Sequence, residues 1–257
     1  MSLTIDLNSD LGESFGAWRM GDDAAMLDLV TSANVACGFH GGDPGEMRRT
    51  VEMAVAKGVA IGAHPGFHDL QGFGRRRIHG IPDDEMQAML LYQVGALQAI
   101  ARAAGGEVTH VKIHGALGNM TSESDELAET CIRAFHALDP ELYLVAIAAT
   151  ALERAARKVG QPCVSEIYAD RAYNDDATLV PRGTPGAVIH DADKAADSVL
   201  AAIESGCITS INGRKVPVDV RTICVHGDSP HAVRMAEVVR TRLDKAGVTI
   251  ARFDRKG

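Results

Sequence analysis

No two cysteines in this chain are spaced as C-x-x-C. The five present (Cys37, Cys131, Cys163, Cys207 and Cys224) are scattered and odd in number, which argues against a disulfide framework and a cysteine-rich zinc site. The opening Met1-Ser2-Leu3-Thr4-Ile5-Asp6 lacks a basic segment followed by an apolar stretch, so no secretory signal is expected. No apolar run approaches the roughly 20 residues that span a bilayer, so no membrane association is expected. Long runs of one charge are missing too: Arg75-Arg76-Arg77 is the only basic cluster, and the net charge is −8. A mildly acidic chain of this kind is a poor partner for nucleic acid. These absences together lead us to expect a cytoplasmic protein. Three catalytic signatures are also missing: the G-x-x-x-x-G-K-[ST] phosphate loop, the G-x-S-x-G elbow and a G-x-G-x-x-G opening a first helix.

What is present is an alternation of short apolar runs and longer helical patterns, in a chain of 257 residues of which 46% are hydrophobic. Strands are expected at Leu3–Leu7, Ala33–Cys37, Val59–Ala63, Val108–Ile113, Leu142–Ile147, Cys163–Tyr168 and Thr222–Val225, with a weaker run at Val248–Ala251. Helix starts are marked by Asp43-Pro44-Gly45-Glu46, which offers a cap, a first-position proline and a capping-box glutamate. Ser229-Pro230 repeats the cap-plus-proline pattern before a helix ending near Gly247. Pro82-Asp83-Asp84-Glu85 puts acids in the first turn of a long helix ending before Gly105-Gly106. Such alternation implies an α/β fold with a parallel sheet. About seven strand–helix units suit a barrel spanning 1–257 as a single domain, although a doubly wound open sheet satisfies the same alternation. Two long connections, Gly62–Ile81 and Ala169–Gly186, have the length of active-site lids.

Polar residues fall at the ends of these strands. The first strand runs into Asn8, Asp10 and Glu13; the second into Asn34, Cys37, His40 and Asp43; the third into His64. The fourth ends in Lys112 and His114, the sixth meets Glu166, Asp170 and Arg171, and the seventh ends in His226 and Asp228. In parallel β/α barrels these ends form the catalytic face. Each residue has a structural alternative. Asp10 and Glu13 suit helix capping, His40 and His64 suit buried imidazoles bonded to backbone, and Asp228 suits orienting His226 or capping the next helix. Cys37 reads as a packing residue rather than a nucleophile, whereas Lys112 among apolar neighbours would be costly to bury without a partner. His79, His110, His136, His190 and His231 are read as structural. Acids and imidazoles on one rim can activate water by general base catalysis, and Asp10 with His40 and His64 can hold a divalent metal.

The segments Asp6-Leu7-Asn8-Ser9-Asp10-Leu11-Gly12-Glu13, Asn34-Val35-Ala36-Cys37-Gly38-Phe39-His40-Gly41-Gly42-Asp43 and Gly62-Ala63-His64-Pro65-Gly66 closely resemble the LamB/YcsF family. So do Val111-Lys112-Ile113-His114-Gly115-Ala116-Leu117, Glu166 through Tyr173, Leu179-Val180-Pro181-Arg182 through Ala187, and Ile223 through Asp228, in order along nearly the whole chain. Two departures stand out: Gly118 where the family usually has tyrosine, and Ala177 where glycine commonly stands. The resemblance implies a glycoside hydrolase/deacetylase-like seven-stranded (β/α) barrel. It also implies the A subunit of an ATP-dependent 5-oxoprolinase, working with partner subunits B and C to open the lactam of 5-oxoproline. Catalytic candidates are then Asp10, Glu13, His40, His64, Lys112 and His114. Substrate-binding candidates are Asn8, Asn34, Asp43, Glu166, Asp170, Arg171, His226 and Asp228. ATP is expected to be handled largely with the partners, since no phosphate loop is visible. Rival readings are a metal-dependent deacetylase or amidohydrolase of N-acetylated sugars, and a non-catalytic lactam- or carbohydrate-binding subunit.

Overall fold

The computed structural model describes residues 3–227 and 231–253. Six strands arrive first: β1 (Thr4–Leu11), β2 (Ser32–Ala36), β3 (Ala60–His64), β4 (Val108–Lys112), β5 (Tyr143–Ile147) and β6 (Cys163–Tyr168). A hairpin of β7 (Cys207–Thr209) and β8 (Lys215–Pro217) follows, then β9 (Thr222–Cys224) and β10 (Thr249–Ile250). Around them lie α1 (Asp23–Met26), α2 (Pro44–Lys57), α3 (Asp83–Ala103), α4 (Gly115–Glu123), α5 (Asp125–Leu138), α6 (Ala151–Val159), α7 (Ala192–Ser205) and α8 (Ala232–Lys245). Strands β1 through β6 pair in parallel in chain order, β6 pairs with β9, and β9 returns to β1. The result is a closed seven-stranded parallel barrel, so the open-sheet alternative is set aside. The weak eighth run is real but lies outside the ring, pairing with the first residues of β1. The β7–β8 hairpin has no counterpart in the expected strands.

Helix packing follows the apolar spacing. Met47, Thr50, Val51 and Ala54 bury one face of α2, a three-and-four spacing that suits a helix laid on a sheet. Asp43 caps α2 as expected, accepting from the amides of Gly45 and Glu46. The capping box does not close, because the Glu46 carboxylate is drawn to Arg19 and Arg49 instead. The cap assigned to Ser229-Pro230 lies outside the described residues. Ala177 has φ +69°; glycine visits that region freely, while an L side chain there costs roughly 1–2 kcal/mol.

The largest difference from expectation is in β1, which continues four residues beyond Leu7. Asn8 to Leu11 pair with Ser32 to Val35 of β2, and their polar side chains find partners inside the barrel. Asp6 accepts from the hydroxyls of Thr31, Ser32 and Thr222. Asn8 donates to Glu166 and Thr222, and Asn34 donates to both Asn8 and Asp10. The bore is thus a hydrogen-bonded polar column rather than the layers of branched aliphatics usual in such barrels, and pairing is what makes that burial tolerable. His110 completes the column by bonding Asn34 Oδ1 at 3.0 Å. Gly62 on the neighbouring strand makes room for its ring: a Cβ there would sit 2.0 Å from His110 Nε2.

Candidate active site

At the C-terminal end of the barrel the column opens into a cavity of about 420 Å³. Its floor is an ion cluster. Lys112 Nζ lies 3.1 Å from Asp10 Oδ1, 2.9 Å from Glu166 Oε1 and 3.3 Å from Asn8 Oδ1. Burial alone would raise the Asp10 carboxyl, but the adjacent His64 and Lys112 hold it well below the ordinary range. Burial likewise opposes the Lys112 ammonium, yet Asp10 and then the other groups around it keep it charged well above its usual range. An ammonium has three donors, and all three have acceptors here.

Beside this cluster sit three imidazoles and a second carboxylate. Glu13 follows the end of β1 after Gly12, whose φ of +68° turns the chain inward. His64 ends β3, and His114 caps the start of α4. His40 stacks flat on His114 with centroids 3.5 Å apart, its Nε2 3.1 Å from Glu13 Oε1. Burial first, and neighbouring imidazoles second, push His40 and His114 well below their ordinary range. His64 Nδ1 donates to the Lys112 carbonyl at 2.7 Å, and His114 Nε2 donates to the Phe73 carbonyl at 2.8 Å. Their other nitrogens, His64 Nε2 and His114 Nδ1, therefore face each other as lone pairs at 3.0 Å. Asp10 Oδ2 lies 3.3 Å from the first, and Glu13 Oε1 lies 3.5 Å from the second. Two facing lone pairs repel, so this geometry calls for a positive species between them: a proton held by His64 against Asp10, or a metal cation.

The donor set fits a cation. Glu13, His40, His64 and His114 each offer a ligand atom within 4.8 Å of the others, all buried. Among the described residues His40 Nδ1 is also the one buried side-chain polar atom without a hydrogen-bond partner. This set shares His40 and His64 with the expected metal group but replaces Asp10 by Glu13 and His114.

The opposite wall comes from the chain after β6 and β9. His226 Nδ1 lies 2.8 Å from both Asp170 oxygens, and Arg182 donates to His226 Nε2 at 3.2 Å. Arg171, 5% exposed, donates to the carbonyls of Val180 and Ala187. The Tyr168 ring lies between the two sides, stacked on His226 at 5.1 Å with Lys112 Nζ 4.8 Å from its centre.

Of the expected residues, Asp10, Glu13, His64, Lys112, His114, Glu166, Arg171 and His226 line the cavity. Asn8 and Asn34 lie one layer beneath, and His40 lies behind His114. Asp170 reaches the cavity only through His226, while Asp43 is occupied as the α2 cap and bonds Gly16. Asp228 lies outside the described residues. Cys37 behaves as the packing residue it was read to be: burial pushes its thiol up to about 12. Sequence reasoning missed Arg75, Arg77, Asn119, Tyr168 and Arg182 as cavity residues. Arg182 could have been found, since it ends the quoted Leu179-Val180-Pro181-Arg182 segment inside a long connection; nothing local marks Asn119. Gly118 also lines the cavity, so the wall carries no ring at that point.

The closed ring of seven parallel strands, with acids, imidazoles and a lysine converging at its C-terminal end, defines a seven-stranded β/α barrel with a candidate active site at that end. The chain belongs to the LamB/YcsF family, whose profile matches residues 5–256. It is 51% identical over 251 residues to the 5-oxoprolinase A subunit of Nitrobacter hamburgensis, covering 98% of each chain. It is also 49% identical over 251 residues to the 5-oxoprolinase A subunit of Ruegeria pomeroyi, with 98% of this chain and 99% of that one covered. Among solved structures it resembles the lactam utilization protein of Thermus thermophilus, with a TM-score of 0.91 and 43% identity over 98% of this chain and 100% of that one. The catalytic domain of a peptidoglycan N-acetylglucosamine deacetylase from Eubacterium rectale shares the fold alone, with a TM-score of 0.54, 10% identity, and 100% and 91% of the chains covered. No helix among the described residues is long and apolar enough to cross a membrane.

Proposed function

We propose that this chain acts as the A subunit of an ATP-dependent 5-oxoprolinase, opening the lactam of 5-oxoproline to glutamate together with partner subunits B and C. The observation that carries this reading is full-length identity of 51% and 49% to relatives bearing that name. The overall reaction is 5-oxoproline + ATP + 2 H2O → glutamate + ADP + phosphate. A lactam is a resonance-stabilised amide, so coupling to ATP supplies the driving force. Transfer of a phosphoryl group to the amide oxygen breaks the amide resonance. One water then adds to the carbon and expels the ring nitrogen, leaving an acyl phosphate that the second water hydrolyses to glutamate and phosphate. Nucleotide chemistry belongs to the partners in this scheme, because the chain carries no phosphate loop. The cavity then binds the lactam and delivers water.

Asp10 and His64, in contact at the cavity floor, take the proton from the attacking water. General base help of this kind is worth roughly 10²–10⁴-fold. The same Asp10–His64 pair returns that proton to the ring nitrogen that leaves, with His114 Nδ1 facing His64 Nε2 at 3.0 Å. Lys112 holds Asp10 ionised, and its positive charge offsets the anionic character of the phosphorylated oxygen as water adds. Were a divalent cation resident, Glu13, His40, His64 and His114 would hold it, and it would supply Lewis acidity toward water.

Glutamate release from 5-oxoproline tests the reading, with and without ATP, using the chain alone and then with both partner subunits. Glutamate that depends on ATP and on the complete mixture is the expected result. Well-folded subunits that release none in any combination would sink it.

A further inference from the structure

The far wall of the cavity holds two guanidinium groups without carboxylate partners. Among the described residues neither Arg171 nor Arg182 forms an ion pair; their contacts are two backbone carbonyls and the His226 ring. The acid on this wall, Asp170, is already engaged with His226 through both oxygens. Burial, and next the like charge of Arg182, pull the Arg171 guanidinium below its ordinary range. A buried charge is expensive unless it is neutralised; Arg171 is buried while Arg182 is exposed, and the nearby Asp170 carboxylate offsets only part of their combined charge. Each still has donors to offer: a guanidinium has five N–H groups, of which Arg171 uses two and Arg182 one. Both residues line the same cavity as Asp10 and Lys112, with the Tyr168 ring between the two sides.

The Arg182 contact also fixes the state of His226. With Nδ1 donating to Asp170, Nε2 presents its lone pair, and only that lone pair can accept from Arg182. Asp170, His226 and Arg182 therefore form an ordered chain that aims an otherwise exposed arginine at the cavity.

We propose that Arg171 and Arg182 clamp the carboxylate of the cyclic amide substrate, and that Asp170 and His226 are positioning residues that hold Arg182 in place rather than substrate ligands. This rests on the reading that the cavity takes a lactam. The clamp turns the ring so that its amide carbonyl faces Asp10, His64 and Lys112. Guanidinium forks match a carboxylate in a two-bond geometry, and the molecule to be opened carries one carboxylate on a small uncharged ring. A phosphoryl group offers related oxyanion chemistry, so the test separates the two.

Binding to the full-length chain would be measured by calorimetric and NMR titration into the tens of millimolar range. The probes are 5-oxoproline, 2-pyrrolidinone (the same ring without the carboxylate) and inorganic phosphate. The wild-type chain is expected to favour 5-oxoproline over 2-pyrrolidinone by at least about tenfold. Arg182→Met should erase most of that preference while leaving 2-pyrrolidinone binding and the melting temperature unchanged. Asp170→Asn should reduce the preference by a smaller factor, again without moving 2-pyrrolidinone binding, which a merely structural loss would not do. In the reconstituted complex Arg182→Met should raise KM and, because the clamp also orients the ring, lower kcat by a smaller factor. An intact preference in well-folded Arg182→Met overturns the clamp while leaving the lactam reading in place. So does phosphate that binds at these arginines without displacing 5-oxoproline. Absence of binding by either lactam to the wild-type chain, with no glutamate from the complete mixture, overturns both.

Discussion

The two sides of the cavity treat charge in opposite ways. On the β1–β4 side, Asp10, Glu13, Lys112 and three imidazoles are packed out of water and pair largely with one another, His40 Nδ1 and the facing His64 and His114 nitrogens excepted. On the β6–β9 side, two arginines face the cavity without an ion pair among the described residues, held by backbone carbonyls and one histidine. The first arrangement is closed electrostatically and suited to moving protons; the second is open and suited to taking up an anion. On the proposed reading the first side carries the chemistry and the second the recognition, so substitutions on the two sides should fail in different ways.

Lys112→Met tests the closed side most severely. It strands Asp10 and Glu166 without their shared cation, and breaking a buried pair costs about 3–5 kcal/mol. Urea unfolding should show that loss; one below about 1 kcal/mol would mean the cluster is not the closed unit described. Asp10→Asn keeps the shape but removes the charge. Turnover of the reconstituted complex should fall by roughly 10²–10⁴-fold, with 5-oxoproline binding largely retained, and retained turnover would move the base elsewhere.

A third test compares two carboxylates of the same strand. Burial raises Asp6 from 3.8 to about 6, whereas Asp10 is held low. A raised folded pKa means the native state binds the extra proton, so Asp6 favours folding below pH 4 and loses that contribution as pH climbs through 6. Two units correspond to about 3 kcal/mol. The stability difference between Asp6→Asn and the wild-type chain should therefore shift toward the variant between pH 4 and pH 7. Asp10 has the opposite sign: its contribution is present above the unfolded value and lost as pH falls. Chemical denaturation across that window distinguishes the two, and a flat difference would show that Asp6 is ionised throughout. The smallest effect belongs to Arg77, whose pair with Glu123 is about half exposed. Arg77→Ala should change stability by no more than about 1 kcal/mol in thermal melts.

Much of the architecture was legible because strand residues are apolar on the helix-facing side. β6 begins and ends where its apolar run does, and the acids after Pro82 mark the first turn of α3. The sequence hid whatever depended on the bore. Asn8, Ser9 and Asp10 look like a loop until Asn34, Glu166 and Val225 supply their partners from other strands. His110 was read as structural, and its position against Asn34 could not be inferred without the register of β3 and β4. The cavity side was legible where a strand ended in a charged residue, as with His64 and Lys112. It was illegible where a long connection folds back, as with Arg182, whose meaning depends on a histidine 44 residues away.

The polar bore also bears on how the ring of strands closes. An aliphatic interior tolerates a strand that slips by two residues, because one branched side chain replaces another. Here the same slip of β1 would carry Asp6 to where Asn8 now meets the Glu166 carboxylate, and would leave the hydroxyls of Ser32 and Thr222 without their acceptor. The column thus works as a key that admits a single alignment of strands, and the same constraint that places the candidate site residues proofreads the assembly of the barrel.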